Sequence, residues 1–449
     1  MVAFQKHWNW LRESLWFIPG TMLVSALLLA LGLVAIDLRI ERDFLLEYSL
    51  LFGLGADGSR GMLTAIASSM LTVAALSFTL TLNAVAQASS QYSPRVIRNF
   101  LDDKSNQLVF GYFVSVFAYC LVVLRTIRGG DEDAFIPSIA VFAGLILALG
   151  GVMVLIFFIH HIAVSLQLTN IVAEIAEETR NSIDNIYPAD LGEPIEEDST
   201  LSIEAEKAFN EKEWIRIPSR SSGYIQSIDQ DALAELVKQY NLIARIPLAV
   251  GEFVSEGATI AWTAASGSDG QRGQTAEKLE SEIERLFSVN RHQTIRQDVG
   301  FGIRQLVDIA LKALSTGVND TKTAVTALDR LGEVIAQLAT RRFPSNVRSA
   351  NGNAILVVKA SGFEDYVEYA FDEIRASGRG NFAVYFRMID ALVVALVCAR
   401  NDGRRRILLR HVELTRQYAM ESLESDYERG KVTEYLNKKI SEARDQNPT

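Results

Sequence analysis

The chain has 449 residues, 49% of them hydrophobic, a formal net charge of −10 and two cysteines. The acidic balance argues against a general nucleic-acid binder. Cys120 and Cys398 have no metal-ligand spacing, so neither a disulfide framework nor a metal centre is expected. The apolar excess lies ahead of about residue 170, and the remainder of the chain is acidic and of ordinary composition, so membrane and soluble regions are expected in that order.

Residues 1–14 mix Trp8 and Trp10 with Lys6 and Arg12, and Trp16 follows; such rings settle at headgroup level. Pro19 and Gly20 suit a helix start, and LVSALLLALGLVAIDL is too long for a signal peptide, so a first span is expected over 16–37. A loop with a short amphipathic run is expected over 38–60.

Residues 63–94 form the most informative stretch. It is apolar enough for a bilayer, yet Thr72, Thr79, Asn83, Gln87 and Ser90 recur on one helical face, with Leu76 and Leu80 beside them. From Thr72 to Gln87 the stripe spans roughly 23 Å, much of a hydrocarbon core. Such a stripe faces either a water-filled path or polar partners on neighbouring helices. No Asp, Glu, Lys or Arg lies between Leu63 and Ser93, which argues against a proton relay or a strongly charge-selective filter inside the span.

Pro94 ends that helix, and a charged connection runs to about residue 107. Further spans are expected over 108–124 and from Pro137 through SIAVFAGLILALGGVMVLIFFI, where Gly144 and Ala148 form a small-xxx-small pair. Positive charge is tied between the two sides: Lys6, Arg12, Arg95, Arg98 and Lys104 against Arg39, Arg42, Arg60, Arg125 and Arg128. Both termini are placed in the cytoplasm, as the unpaired cysteines favour. His160 and His161 point about 100° apart on a helix and so do not share a metal. The fourth helix is expected to continue as a stalk into an acidic linker at Pro188.

The soluble part begins near residue 201, where WIRIP, SGYIQSID, LIARIPLAV and EFVSEGATIAWT read as strands and DALAELVKQYN as a helix. VGEFVSEGATIAW resembles the turn-rich repeat of lipoyl-type barrel-sandwich domains, but it holds no Lys, so no swinging arm is expected. From about residue 276 helices dominate, with a strand at 353–360 and a charged, fraying tail.

SFTLTLNAVAQASSQYSPRVIRNFLDDKSNQLVFGYFVSVFAYCLVVLRTIR and GFGIRQLVDIALKALSTGVNDTKTAVTALDRLG resemble a widespread family of predicted bacterial membrane proteins of unknown function. The resemblance covers nearly the whole chain and implies four spans and a cytoplasmic domain, with no assigned activity, cofactor or catalytic residue. Thr316 and Thr321 stand where the family's SPGxNDPxTA pattern has Pro, a departure that bears on turn stiffness.

In STGVNDTKTA, Gly317 suits a left-handed cap, and Asn319 or Asp320 an N-cap. The alternative is a ligand site in which Asn319, Asp320 and Thr323 face Arg304 and Asp308, four residues apart on the preceding helix. Gly300–Gly302 lacks the spacing of a nucleotide loop. Arg404, Arg405, Arg406, Arg410 and Arg416 suit a solvated face or lipid headgroups. No hydrolase, zincin or kinase motif occurs, so neither catalysis nor a cofactor is expected.

The expected fold class is membrane α-helical with a C-terminal soluble α+β region. Residues 1–166 form four transmembrane helices, 167–200 a helical stalk and acidic linker, 201–270 a small barrel-sandwich-like β module, and 271–449 a mainly helical cytoplasmic domain with one short strand. The expected function is a homo-oligomeric channel of the bacterial inner membrane, with the bilayer, further copies and ions as partners. The alternative is a membrane-anchored sensor or scaffold whose cytoplasmic domain binds a ligand or partner protein.

Overall fold

A computed structural model describes residues 16–39, 55–91, 104–129, 135–165, 167–187, 214–240, 242–265, 274–295, 297–343, 347–349, 355–359 and 361–446. The entry segment with Trp8 and Trp10, most of the first loop, the connection around Pro94 and the linker from Pro188 lie outside these. The chain forms two compact units, Met1–Asn170 and Ile171–Thr449.

The first unit holds α1 (Phe17–Asp37), α2 (Ala56–Gln91), α3 (Lys104–Thr126) and α4 (Ser138–Ser165). All four contain a stretch long and apolar enough to cross a membrane. The polar helix α2 begins well ahead of residue 63, and its 36 residues extend about 54 Å, more than a hydrocarbon core is thick. The hub is α3, which packs against α1, α2 and α4 and buries Phe113, Tyr119 and Val123.

Lipid supplies little hydrophobic force between helices, so the fit depends on close approach. A Cβ on Gly144 would lie 3.1 Å from Leu63 Cδ2, and one on Gly150 2.6 Å from Tyr112 Oη. Two tyrosines of α3 reach the backbone of α4: Tyr112 donates to Leu147 O at 2.8 Å and Tyr119 to Ala140 O at 2.7 Å. Asp37, buried at the end of α1, accepts from the Ile139 and Ala140 amides at 3.0 Å each and so caps α4.

The helix does not run on as a stalk. It ends at Ser165; the Asn170 side chain donates to Val164 O at 2.8 Å, and α5 (Leu168–Ile186) begins beyond the break. From Ile171 onward α5 belongs to the second unit, where Ile175 and Ile183 are fully buried. An amphipathic helix followed by Pro188 reads equally as a stalk or a packed helix, and here tertiary burial decides.

The second unit continues with β1 (Ile215–Pro218), β2 (Gly223–Ile228), α6 (Gln230–Gln239), β3 (Leu242–Ile246), β4 (Phe253–Val254), β5 (Thr259–Ala265), α7 (Gln274–Glu284) and β6 (Phe287–Asn290). Then come α8 (Val299–Leu314), α9 (Thr321–Thr340), β7 (Val347–Ser349), β8 (Ile355–Val358), α10 (Phe363–Ser377), α11 (Phe382–Cys398), α12 (Asp402–Ser422) and α13 (Asp426–Gln446). The strands form two sheets, β1-β5-β3-β8-β7 and β4-β2-β6. Pairing is antiparallel except between β3 and β8, where Ile243 meets Ile355. The β part therefore recruits strands from beyond residue 270. Its core is aliphatic, with Ile217, Ile225, Leu233, Ile246, Val254 and Ile260 buried.

The helices pack around α9 and α11, where a Cβ on Gly332 would lie 2.9 Å from that of Ala391. Asp298, Asp320, Asn381 and Asn401 cap α8, α9, α11 and α12 by accepting first-turn amides. The tail does not fray over α13: Val432 and Leu436 are buried, and Tyr435 donates to Asp390 at 2.6 Å.

Candidate functional site

The orientation of α2 sets the chemistry of the membrane unit. Its inward face is Leu63, Ile66, Ala67, Met70 and Ala74, with Ser77 and Ala84 further along, all buried. Thr72, Thr79, Asn83 and Gln87 lie on the opposite side, and all four are exposed. Leu76 and Leu80 flank them, also exposed. The side chain of Ser90 lies outside the described residues. The stripe also begins earlier than the sequence pattern suggests, because Thr64, Ser68 and Ser69 are exposed too. The polar face is thus turned away from its own helices. The inward Ser77 hydroxyl bonds within its own helix, to Val73 O at 2.8 Å.

The other outward faces differ. On α1 Leu28, Leu29 and Leu31 are exposed, with Ile36 near its end, and on α4 Leu149, Val152, Met153 and Ile156. Those faces suit lipid. On α2 the hydroxyls satisfy themselves, since Ser69 donates to Ala65 O at 2.7 Å, Thr72 to Ser68 O at 2.8 Å and Thr79 to Ala75 O at 2.9 Å. The Asn83 amide does not follow them. Among the described residues the Asn83 amide meets no hydrogen-bond partner, and setting it against hydrocarbon costs roughly 2–7 kcal/mol.

At the start of α2 stands Asp57, exposed and within about 60° of Thr72 around the helix. Arg60 lies 3.8 Å from it and donates to Ile127 O at 3.0 Å. Extending the three- and four-residue spacing backward from Thr72 through Ser68, Thr64 and Gly61 would have found Asp57. Asp37 was missed because its role depends on α4, which is distant in sequence.

Of the five residues of the second candidate, Asp320 and Thr323 bond to each other, while Arg304 pairs with a residue outside the group. Arg304 ion-pairs with Glu373 on α10, with its guanidinium 5.7 Å from the Tyr369 ring. Asp320 accepts from the Thr323 amide at 3.1 Å and the Thr323 hydroxyl at 2.6 Å, and these bonds hold its carboxyl below the usual range. Asn319, not Gly317, takes the left-handed conformation, with φ of 48°. Asp308 also has an interaction of its own. The group reads as a turn and an N-cap.

Other singled-out residues have structural duties as well. Gly302 packs against Thr179 of α5. Arg404 donates to Ala339 O at 2.8 Å and stacks 5.0 Å from the centre of Phe343, while Arg410 pairs with Glu364 and Arg416 with Glu413 at 2.6 Å each. Arg410 and Arg416 are thus paired with carboxylates, and Arg404 is held by backbone carbonyls and an aromatic ring. His161 stacks on Phe157 at 5.7 Å. Among the described residues no group of three His, Cys, Asp or Glu side chains is placed to hold a metal.

In the second unit burial shifts an acid and an imidazole in opposite senses on the pH scale. Burial pushes the Asp298 carboxyl up to about 6, against the lowering effect of amide bonds from Phe301 and Gly300. Burial, then the Arg375 guanidinium, pushes His411 down to about 4. Arg375 lies 2.9 Å from His411 Nδ1 and 2.7 Å from Asp372.

Four spans followed by a soluble α+β unit define a multi-pass membrane protein. The chain belongs to the family described as predicted membrane protein (DUF2254), which matches residues 12–393. It is similar to Rv1290c of Mycobacterium tuberculosis and Mb1321c of Mycobacterium bovis, both named only as uncharacterized proteins. Each is 30% identical over 403 residues, covering 89% of this chain and 74% of the relative. No solved structure matches.

Proposed function

We propose that the protein is a homo-oligomeric channel of the bacterial inner membrane in which copies of α2 surround the pathway. The observation that carries this reading is the outward polar face of α2, set beside apolar outward faces on α1 and α4. One copy leaves Asn83 and its neighbours facing hydrocarbon. A ring of copies about a symmetry axis turns them to a shared aqueous interior. Leu76 then stands within the stripe and Leu80 at its edge, and they narrow the passage. In this reading four crossings return the chain to its starting side, which we assign to the cytoplasm because unpaired cysteines favour it. No step of this function asks for catalysis.

The test is solvent access. Cysteine is placed in turn at Thr72, Thr79 and Asn83, with Leu149 and Ile156 as lipid-facing controls, in a background carrying Cys398→Ser. A hydrophilic thiol reagent applied to membranes labels the first three and spares the controls. Uniform protection of all five positions defeats the reading.

A further inference from the structure

Resting on the channel reading, we infer that the pathway carries cations in preference to anions. The argument comes from where the hydroxyl protons point. A Ser or Thr hydroxyl has one proton to donate and two lone pairs to accept with. Along the exposed face of α2 those protons are spent on the helix itself. Ser68 donates to Thr64 O at 2.8 Å, with a second contact to Ala65 O at 3.1 Å. Ser69, Thr72 and Thr79 donate to the carbonyl four residues back at 2.7, 2.8 and 2.9 Å. What remains toward the pathway is oxygen lone pairs.

Such a lining replaces the hydration of a cation, as rings of oxygen dipoles do in selectivity filters, and offers an anion no hydrogen. Asn83 presents both a carbonyl and an amide and serves either sign. The chain carries no Lys or Arg from Gly61 through Pro94, so no fixed positive charge sits within the stripe to favour anions.

The mouth agrees. Asp57 stands fully exposed on the same side of α2, and a ring of such carboxylates concentrates cations at the entrance. Arg60 offsets it only in part, because its guanidinium is anchored to Ile127 O at 3.0 Å and stands 3.8 Å from the carboxylate.

The experiment reconstitutes the full chain in planar bilayers and reads the reversal potential under a potassium chloride gradient. A potential displaced from zero toward the potassium equilibrium value is the expected result. Thr72→Val and Thr79→Val, which keep shape and remove lone pairs, lower potassium conductance severalfold. Asp57→Asn lowers it at low salt and much less at high salt, where the carboxylate is screened. Current that reverses at zero or near the chloride potential overturns the cation assignment and leaves the channel standing. Intact oligomers that pass no current overturn the channel reading itself, and the cation assignment with it.

Discussion

Asp298→Asn tests the electrostatics of the second unit. The folded state holds this carboxyl up at about 6, against 3.8 for a free side chain, because the site is buried. Between those values the folded state binds more protons than the unfolded one, so this group makes stability fall as pH rises from about 4 to 6. A rise of two units corresponds to roughly 3 kcal/mol as an upper bound. His411 acts in the opposite sense: its folded value of about 4 lies below the free value of 6.5, so its contribution is present near neutral pH and lost as pH falls. The two slopes oppose each other across one window, and the wild type is comparatively flat there. Asn at 298 still accepts the Phe301 amide, which Asp298 holds at 3.0 Å, and no longer titrates. The variant's stability therefore rises with pH, by up to roughly 3 kcal/mol between pH 4 and 6.5, about 1 M in urea midpoint. The assay is urea unfolding of the full chain in mild detergent, followed by tryptophan fluorescence, since Trp214 and Trp262 lie in this unit. A variant whose midpoint follows the wild-type pH profile refutes the reasoning.

The docking of α5 makes a second prediction. Gly302→Ala places a Cβ 2.9 Å from both Thr179 Cβ and Cγ2 and into its hydroxyl, which is overpacking of about 1–3 kcal/mol. Thr179→Ala in the same chain recovers part of that loss by removing the hydroxyl and the methyl, and the double variant is less destabilised than the two singles together. Full additivity in the same unfolding assay would contradict the α5–α8 contact.

Sequence periodicity locates the four spans to within a few residues, except at the start of α2, because apolar length is a strong signal and a bilayer imposes it. It also finds the polar residues of α2. The direction in which they point is not legible, since Ser77 and Thr79 have similar composition and differ only in which neighbours the fold puts beside them. Interhelical glue is a competing reading of the sequence, and the placement of Thr72, Thr79, Asn83 and Gln87 on the outer side turns them away from the packed helices of their own unit. The break at Ser165 and the burial of Ile175 and Ile183 are equally hidden, because an amphipathic helix does not say whether its partner is solvent, lipid or protein. The Arg304 to Thr323 group misleads for a related reason. Spacing alone offers Arg304 a partner in Asp308 and gives no sign of Glu373, 69 residues away in sequence, with which its guanidinium pairs.

The central claim is that Asn83 and its neighbours face water in an assembled ring. The most direct measurement is potassium flux from proteoliposomes carrying wild type or Asn83→Leu, with oligomer size read in detergent for both. The account predicts flux through the wild-type oligomer and a severalfold loss in a variant of unchanged size. Equal flux per assembled complex, or a wild-type oligomer silent across pH and salt, would contradict it.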